Sequence, residues 1–445
     1  MADEKRLDKI KSGVFSRGLA LAKLTLNTSA HLAGHGAATL LSNSDVKSEK
    51  WKAFLKGRAL EFSSELGELK GSLMKAGQML SMYGEHFLPP EANELLKSLQ
   101  SQSPPLAWSA IEPVIKANLS PEKVALLEID KEAIGSASLG QVHRATIKAT
   151  GEQIVLKVQY PGVDRAIDSD LKAIKSFLSL LKVLPRGVST DHIFAEVREM
   201  LVQEMNYELE AKETKLYGER LKGDSRYIVP KVYDEFCGPR VIATSFEKGL
   251  APDDKLVSSL SQERRNRLAE SFLDLYLTEL FDWGIVQTDP HLGNYRVRLS
   301  PTGEDQLILL DFGAVRAYPD DFLIPYRRMV RAALINDPEQ LRAEALNLKF
   351  LDKTDSTALV SLFEQFCFGM VEPFQEKAGD YDWKKSDLPQ RLTKIALQIL
   401  QKFPLRTPPR EILFLDRKTG GVFIFLSVLG AKMNGAKLLA KKLRL

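Results

Sequence analysis

The fold is decided by residues 287–294, Gln-Thr-Asp-Pro-His-Leu-Gly-Asn, and by residues 309–313, Leu-Leu-Asp-Phe-Gly. In the first stretch Asp289 is followed five positions later by Asn294. In the second, Asp311 opens an Asp-Phe-Gly triplet directly after a short apolar run. Either stretch alone is an ordinary surface turn, but the two together and in this order indicate a site that handles phosphate groups.

The spacing of these residues is typical of a kinase catalytic loop and its metal-binding turn. Asp289 would accept or orient the proton of an attacking hydroxyl or water. Asn294 and Asp311 would hold Mg2+ on the phosphates, because hard cations take oxygen ligands. Between the two motifs, Pro-Thr-Gly at 301–303 and the apolar run at 307–310 predict a hairpin.

Length and composition exclude several classes of protein. The chain has 445 residues, of which 44% are hydrophobic, enough for two or three domains with a large core. A net charge of +4 gives no reason to expect a nucleic-acid partner. The two cysteines lie far apart, the start shows no signal-peptide core, and the longest apolar run, 422–429, is too short to span a bilayer. We therefore expect a cytoplasmic protein.

Small residues occupy a predicted hairpin between two strands around residues 133–158. They would let backbone N–H groups approach phosphates, but they equally suit a tight turn, and the residues alone leave both interpretations open. A nucleotide-binding P-loop is excluded, because Gln141 and Val142 stand where Lys and Ser or Thr are required. The candidate phosphate-contacting residues are Gly135, Ser136, Ala137, Ser138, Leu139 and Gly140.

Lys157 lies in the apolar strand that follows this hairpin. A lysine there should either extend outward to solvent or meet an anion, and its position suits a lysine that grips nucleotide phosphates. Such a lysine needs a carboxylate to orient it. A helix predicted over residues 201–211 offers Glu204, Glu208 and Glu210, and spacing alone does not select one of them.

Most of the remaining chain reads as helical. A long helix predicted over residues 48–83 carries Lys75 and Gln78 on one face. From Gln262 onward the pattern is mainly helical, and Gly-Gly at 420–421 precedes a buried apolar helix. The end, residues 432–445, alternates lysines with apolar residues, which favours a helix that packs on the body over one that contacts anionic lipid.

Taken together, these motifs resemble the UbiB/AarF-type atypical kinases, a family linked to coenzyme Q and other isoprenoid-lipid metabolism. The resemblance covers roughly residues 50–430. Residues 75–78, Lys-Ala-Gly-Gln, look like the KxGQ motif of that family. Residues 135–143 look like the alanine-rich loop that replaces its glycine-rich loop, and both motifs quoted above are in their expected order.

The resemblance implies roles for the candidate residues. Lys157 would position the α- and β-phosphates and would be oriented by Glu210. Glu204 would belong to the ExD motif, and Lys75 and Gln78 would lie on a helix folded over the nucleotide. The implied ligands are ATP or ADP with Mg2+, and an isoprenoid lipid or an anionic membrane surface is a candidate further partner.

The implied fold is α+β, a two-lobed protein-kinase-like structure with a helical N-terminal extension that covers the active-site cleft. The expected parts are an N-terminal helical arm at 1–48, the KxGQ extension at 49–128, a small lobe with a helical insert at 129–250, and a mostly helical large lobe at 251–445.

Two residues depart from the family pattern. Asn206 replaces the Asp of ExD, which removes a carboxylate expected to face Lys75. Gln287 stands where members commonly have His before the catalytic Asp. No apolar stretch corresponds to the membrane spans of the bacterial ubiquinone-pathway members, so a role in that pathway stays open.

The predicted activity is that of an ATPase or an atypical kinase with an unknown acceptor. One alternative is a pseudokinase that binds nucleotide and regulates a partner without turnover. The other is a small-molecule phosphotransferase of the antibiotic type, which also uses an Asp-x-x-x-x-Asn loop. The residues at 75–78 and the alanine-rich loop argue against the second.

Overall fold

The computed structural model describes residues 72–87, 93, 96, 105–137, 139–180, 191–403 and 410–444. The expected arm at 1–48 and the first part of the helix predicted over 48–83 lie outside the described residues. The chain forms two compact units. The first comprises the described residues up to Lys212 together with Lys231–Phe246, and the second comprises Glu213–Pro230 and the described residues from Glu247 onward.

The strands in chain order are β1 (Leu127–Ser136), β2 (Gly140–Ile147), β3 (Gln153–Gln159), β4 (Tyr227–Ile228), β5 (Val241–Ser245), β6 (Ile285–Gln287), β7 (Tyr295–Arg298), β8 (Gln306–Leu309) and β9 (Val315–Ala317). The α-helices are α1 (Ser72–Phe87), α2 (Trp108–Asn118), α3 (Pro121–Ala125), α4 (Val163–Leu180), α5 (Asp191–Glu204), α6 (Tyr207–Arg220), α7 (Lys255–Ser258), α8 (Gln262–Thr278), α9 (Asp320–Leu334), α10 (Pro338–Asn347), α11 (Thr357–Met370), α12 (Leu388–Lys402), α13 (Arg410–Val428) and α14 (Ala436–Leu443).

The antiparallel sheet of the first unit has the strand order β1-β2-β3-β5. Along β3, Ile154 and Val158 point to the buried face, so Lys157 lies on the opposite face of the strand. Val142 on β2 and Ile242 on β5 flank Lys157 on either side. The predicted lysine-bearing strand is therefore confirmed, and it occupies an interior position in the sheet.

Helix α1, which carries the KxGQ residues, packs against α4 and α5 within the first unit. Leu73, Ala76 and Leu80 recur at helical spacing and are buried in this contact. At the start of the helix, Ser72 Oγ donates a hydrogen bond of 2.5 Å to Asp170 on α4. The helical assignment at residues 75–78 is confirmed, and the apolar period determines which face is buried.

The single helix predicted over residues 201–211 is wrong, because α5 ends at Glu204 and a new helix begins three residues later. The Oδ1 atom of Asn206 accepts the backbone N–H of Leu209 at 3.0 Å. Asparagine side chains compete with the backbone inside helices and are favoured at N-caps, which explains the break. Consequently Glu204 and Glu210 lie on different helices.

The second unit contains a small mixed sheet in which β8 pairs parallel with β4 and antiparallel with β7. The β7–β8 connection turns at Gly303, whose φ is 85°, so the hairpin predicted from residues 301–303 is confirmed. Strand β4 comprises only Tyr227–Ile228 and ends before Pro230. Pro230 has no N–H to continue the ladder.

The helical core of the second unit is built around α8 and α13. Phe272 of α8 stacks on Phe425 of α13 with ring centroids 3.8 Å apart. The mainly helical character predicted for this region is confirmed by α8 to α14. However, Gly420 and Gly421 lie inside α13 instead of before a helix. A Cβ atom on Gly421 would lie 2.1 Å from Pro290 Cβ, so glycine permits the close approach of α13 to the catalytic loop.

Helix α14 packs on the second unit, as the sequence analysis favoured. Leu439 and Leu443 are buried, and Lys442 Nζ lies 2.7 Å from Thr278 Oγ1 and 2.5 Å from Asp282 Oδ2. Among the residues that the structure describes, no helix combines the length and apolar character needed to cross a bilayer.

Candidate active site

In the first unit, the strand lysine meets one of the three candidate carboxylates. Lys157 Nζ lies 2.7 Å from Glu210 Oε1, and it also lies over the ring of Tyr207, 5.3 Å from the centroid. The Glu210 side chain is 4% exposed and that of Lys157 is 18% exposed. Because Glu210 belongs to the first turn of α6, the break after α5 determines its position, while Glu208 on the same helix is exposed.

The lysine of the KxGQ motif meets a different carboxylate. Lys75 Nζ lies 2.8 Å from Glu204 Oε1 at the end of α5, and Lys75 is 4% exposed. Gln78 follows on the next turn of α1 and is half-buried. Asn206 uses its amide oxygen to cap α6, a role that the sequence analysis did not foresee. The ExD segment thus supplies one carboxylate to Lys75 and one helix cap.

The alanine-rich loop is a tight hairpin between β1 and β2. Gly135 and Ser136 end β1, the N–H of Ala137 donates to Gly140 O at 2.8 Å, and Leu139 is buried. Ser138 lies outside the described residues. Glycine is required at position 140 because a side chain there would collide with the neighbouring strand.

A Cβ atom on Gly140 would lie 2.3 Å from Val158 O and 2.9 Å from the hydroxyl of Tyr207. The hydrogen bond between Ala137 and Gly140 confirms the hairpin, whereas its use as a phosphate loop stays a prediction.

A buried polar pair lies on β2 directly after this hairpin. The side chain of Gln141 accepts from Leu106 N at 2.8 Å and donates to Leu106 O at 3.2 Å. It also lies 2.9 Å from His143 Nε2, while His143 Nδ1 lies 2.9 Å from Asp130 O. Burial lowers the pKa of His143, so the neutral ring is favoured. These bonds hold the second strand of the hairpin in a fixed register.

In the second unit, the catalytic loop is closed by its own asparagine. Asn294 Nδ2 donates to the carbonyl of Asp289 at 3.0 Å. The carboxylate of Asp289 is largely buried, and its Oδ1 atom lies 2.6 Å from Arg417 Nη2. The N–H of Thr288 donates to Ala314 O at 2.9 Å, which ties the loop to the segment after the Asp-Phe-Gly triplet.

The Asp-Phe-Gly turn is anchored at both ends. The N–H of Leu310 donates to Asn294 O at 2.9 Å, and Asp311 Oδ1 accepts the N–H of Gly313 at 2.9 Å. Phe312 is 2% exposed and packs against Tyr217 with centroids 4.6 Å apart. The backbones that carry Asn294 and Asp311 are therefore hydrogen-bonded to each other.

These two residues offer the oxygen donors that a hard cation takes. In the described part of the chain, no group of three or more His, Cys, Asp or Glu side chains forms a metal site. Mg2+ in nucleotide sites commonly binds through one or two protein oxygens and takes its other ligands from phosphates and water.

Sequence reasoning missed Arg417 and Lys418, adjacent cations on α13. Arg417 contacts Asp289, and Lys418 is buried beside Gln287 and Glu279. No motif marks either residue. The glycine at 421 was the available signal, because a glycine inside an apolar helix indicates a close approach to another backbone.

The fold and these residues define a kinase-like protein: a sheet lysine paired with a helix glutamate in one unit, and an Asp-x-x-x-x-Asn loop with an Asp-Phe-Gly turn in the other. Residues 98–345 match the family described as the ABC1 atypical kinase-like domain. The chain belongs to this family.

Curated relatives agree with this assignment. The atypical kinase COQ8, mitochondrial, of Schizosaccharomyces pombe is 30% identical over 86% of this chain and 62% of the relative. COQ8B of Danio rerio is 32% identical over 83% of this chain and 58% of the relative. COQ8 of Saccharomyces cerevisiae is 30% identical over 84% of this chain and 74% of the relative. The chain thus spans about three fifths of the length of the first two.

A solved structure from Mycobacterium tuberculosis, Rv3197 in complex with erythromycin, superposes with a TM-score of 0.61 at 25% identity and covers 90% of this chain and 98% of that one. This similarity supports the kinase-like fold. The names of the relatives carry the word mitochondrial, a compartment that the sequence analysis did not name, and the cytoplasmic location stays a prediction.

Proposed function

We propose that this protein binds ATP or ADP with Mg2+ and acts as an atypical kinase or ATPase. The ion pair between Lys157 and Glu210, with its 2.7 Å contact, carries the proposal. In an active kinase the strand lysine must be held by a helix glutamate before it can position nucleotide phosphates. A lysine that merely extended to solvent would not place its ammonium on a nearly buried carboxylate.

The residues of both units then take separate roles. Lys157 contacts the α- and β-phosphates, and Asn294 and Asp311 hold the metal. Asp289 accepts or orients the proton of the attacking hydroxyl or water. ATP supplies the transferable phosphoryl group when bound, and Mg2+ neutralises charge on its phosphates. The protein contributes mainly position and fixed charge.

The class of acceptor is proposed from the family. Members of the UbiB/AarF type are linked to isoprenoid-lipid and quinone-related metabolism, and the matched relatives bear COQ8 names. We therefore propose that an isoprenoid phenol is the acceptor or the stimulating ligand, and that the protein binds this phenol at an anionic membrane surface. ATP hydrolysis should rise when such a phenol or anionic liposomes are added.

Replacement of Asp311 by Asn tests the metal role. Nucleotide binding, followed by the shift in unfolding temperature, should weaken far more with Mg2+ present than without it, because the amide keeps the shape and loses the charge. ATPase activity should fall in parallel. Asp253→Asn is a matched control, since Asp253 is an exposed carboxylate of the same unit. Equal losses with and without Mg2+ would remove Asp311 from the metal site.

One observation favours a second candidate function, a nucleotide-binding regulator without turnover. Arg417 Nη2 lies 2.6 Å from Asp289 Oδ1, so the carboxylate expected to receive a proton is already paired with a cation. A regulator of this kind would bind Mg2+-nucleotide and change partners on binding, yet hydrolyse no ATP under any lipid condition. Purified protein that shows nucleotide-dependent stabilisation and no turnover would favour it.

A further inference from the structure

Gln287, the last residue of β6, lies between the two motifs that the proposed function uses. Its side chain is buried, and Nε2 donates to the carbonyl of Asp289 at 2.9 Å and to the carbonyl of Asp311 at 3.4 Å. One amide therefore contacts the backbone of the catalytic loop and the backbone of the metal-binding turn. Both acceptors are main-chain atoms, so the contact acts on the position of the two loops and does not involve the carboxylates.

The orientation of this amide is determined by its other neighbours. Gln287 Oε1 lies 3.3 Å from Lys418 Nζ and 3.2 Å from the hydroxyl of Tyr295. An ammonium can only donate and a carbonyl can only accept, so a single orientation of the amide satisfies all of these groups. A flipped amide would turn its NH2 group toward Lys418 and its oxygen toward two carbonyls.

The neighbours of Lys418 favour its charged form. Burial lowers the pKa of Lys418, but the Glu279 carboxylate and the oxygens of Tyr295 and Tyr276 outweigh it, so the pKa is raised. Glu279 Oε2 lies 3.6 Å from Lys418 Nζ and opens the π-helical turn Glu279–Trp283 that leads into β6. Such turns are frequent near functional sites.

We propose that Gln287 is a positioning residue that couples the catalytic loop to the metal-binding turn, and that Lys418 selects the amide orientation that makes this coupling possible. The catalytic meaning of the coupling rests on the proposed function. The coupling also explains a departure from the family pattern. A neutral histidine at this position has one N–H, so with Lys418 facing its other nitrogen it can reach only one of the two carbonyls.

ATP turnover should therefore decrease as the number of hydrogen-bond donors on the side chain at position 287 decreases. Gln287→Met keeps the size and removes both donors, and Gln287→His keeps one. We expect ATP turnover to fall by about tenfold or more in Gln287→Met, since each hydrogen bond is worth roughly a factor of five. The turnover of Gln287→His should lie between those of the wild type and Gln287→Met. The Mg2+ concentration for half-maximal turnover should rise in the same order, while metal-free nucleotide binding should not change.

Gln306→Met is the matched control, because Gln306 Nε2 donates 2.8 Å to the carbonyl of Ser225 on the same unit, and Gln306 is in none of the proposed roles. It should lose one hydrogen bond without a change in Mg2+ dependence. Wild-type turnover and Mg2+ dependence in a folded Gln287→Met protein would overturn the positioning role. So would an equal effect of Gln306→Met.

A measurement without nucleotide separates this proposal from the proposed function. Hydrogen exchange in the ligand-free protein should accelerate together in residues 288–294 and 310–314 in Gln287→Met, and in neither segment in Gln306→Met. This outcome would support the coupling even if the wild-type protein hydrolysed no ATP. Unchanged exchange in both segments would overturn it.

If Gln287→Met does not fold, the pair Glu279→Gln and Lys418→Met removes the orienting cation without leaving its carboxylate unpaired. The same two segments should then exchange faster, and unchanged exchange would overturn the role of Lys418.

Discussion

Two ion pairs of the first unit and one pair of the second differ in how far water reaches them. In the first unit Lys157 and Glu204 keep 18% and 17% side-chain exposure while their partners are nearly buried. In the second unit Lys418 and Glu279 are 3% and 1% exposed. A cation that must meet a ligand needs a path to solvent, whereas a cation that orients neighbouring groups does not.

The ion pair of Arg417 with Asp289, although it lies in the second unit, resembles the partly exposed pairs of the first unit. The side chain of Arg417 is 20% exposed, close to the 18% of Lys157, and that of Asp289 is 13% exposed, although the neighbouring Lys418 is buried. Adjacent cations on α13 therefore differ in their surroundings: Lys418 is buried beside the amide of Gln287, and Arg417 stays partly exposed beside Asp289. The predictions below test this division.

The largest effect is expected at Lys157. Lys157→Ala removes the proposed phosphate contact and the ammonium that Glu210 meets, so ATP turnover should fall by about 100-fold or more, the scale found when one charge-stabilising donor is lost. Lys157→Arg should fail as well, because a forked guanidinium does not replace a compact ammonium. Steady-state ATPase assays measure both.

Lys131 on β1 provides the control for this position, because it is an exposed lysine of the same sheet. Lys131→Ala and Lys131→Arg should leave turnover unchanged. Wild-type activity in Lys157→Arg would show that Lys157 is only a strand lysine that extends to solvent, and the comparison of exposures would lose its meaning.

A smaller effect is expected at Arg417. Arg417→Met leaves the partly buried carboxylate of Asp289 without its charged partner, so turnover should fall by about tenfold while Mg2+-nucleotide affinity is kept, since a charged hydrogen bond is worth roughly 1.5–3 kcal/mol. Turnover and nucleotide affinity must therefore be measured separately. Arg331→Met, at an exposed arginine of α9, is the control.

Two outcomes would contradict this role. Higher turnover in Arg417→Met would mean that Arg417 restrains Asp289, and an equal loss of affinity would place it on the nucleotide. Absence of turnover in the wild type as well would favour the nucleotide-binding regulator.

The same contrast shows what the sequence could predict. Lys157 is predictable because a lysine within an apolar strand is conspicuous, and the Asp-x-x-x-x-Asn and Asp-Phe-Gly spacings place Asp289, Asn294 and Asp311. The partner of Lys157 cannot be predicted from spacing, because three glutamates fit a single helix equally well. The family resemblance selected Glu210, and the structure shows that the helix is broken before it.

Gly421 signals a close approach of α13, but the partners of Arg417 and Lys418 could not have been predicted, because they lie more than a hundred residues earlier in the chain and are reached only once α13 packs beside the loop. Periodicity identifies which face of a helix is apolar, but it does not identify the loop that a polar residue at the edge of that face will meet.

The smallest effect concerns Asn206, where the chain departs from ExD. The residue caps α6, so Asn206→Ala should lower the free energy of unfolding by about 1 kcal/mol. Asn206→Asp should preserve the cap and add a favourable charge at the start of the helix, which is worth roughly 0.3–1 kcal/mol. Urea unfolding followed by circular dichroism measures both changes.

The partner of the new charge decides between two explanations of Asn206→Asp. Lys75 is already 2.8 Å from Glu204, and a second carboxylate at 206 would either strengthen that contact or act only on its own helix. Because Asn206 caps α6, we expect the carboxylate at 206 to act only on its own helix. The gain in stability should then persist in a Lys75→Met background, with a coupling energy between the two substitutions close to zero. A gain that disappears without Lys75 would show that the carboxylate at 206 acts on the KxGQ helix. Asn206 would then loosen that helix in this chain, beyond its role in capping α6.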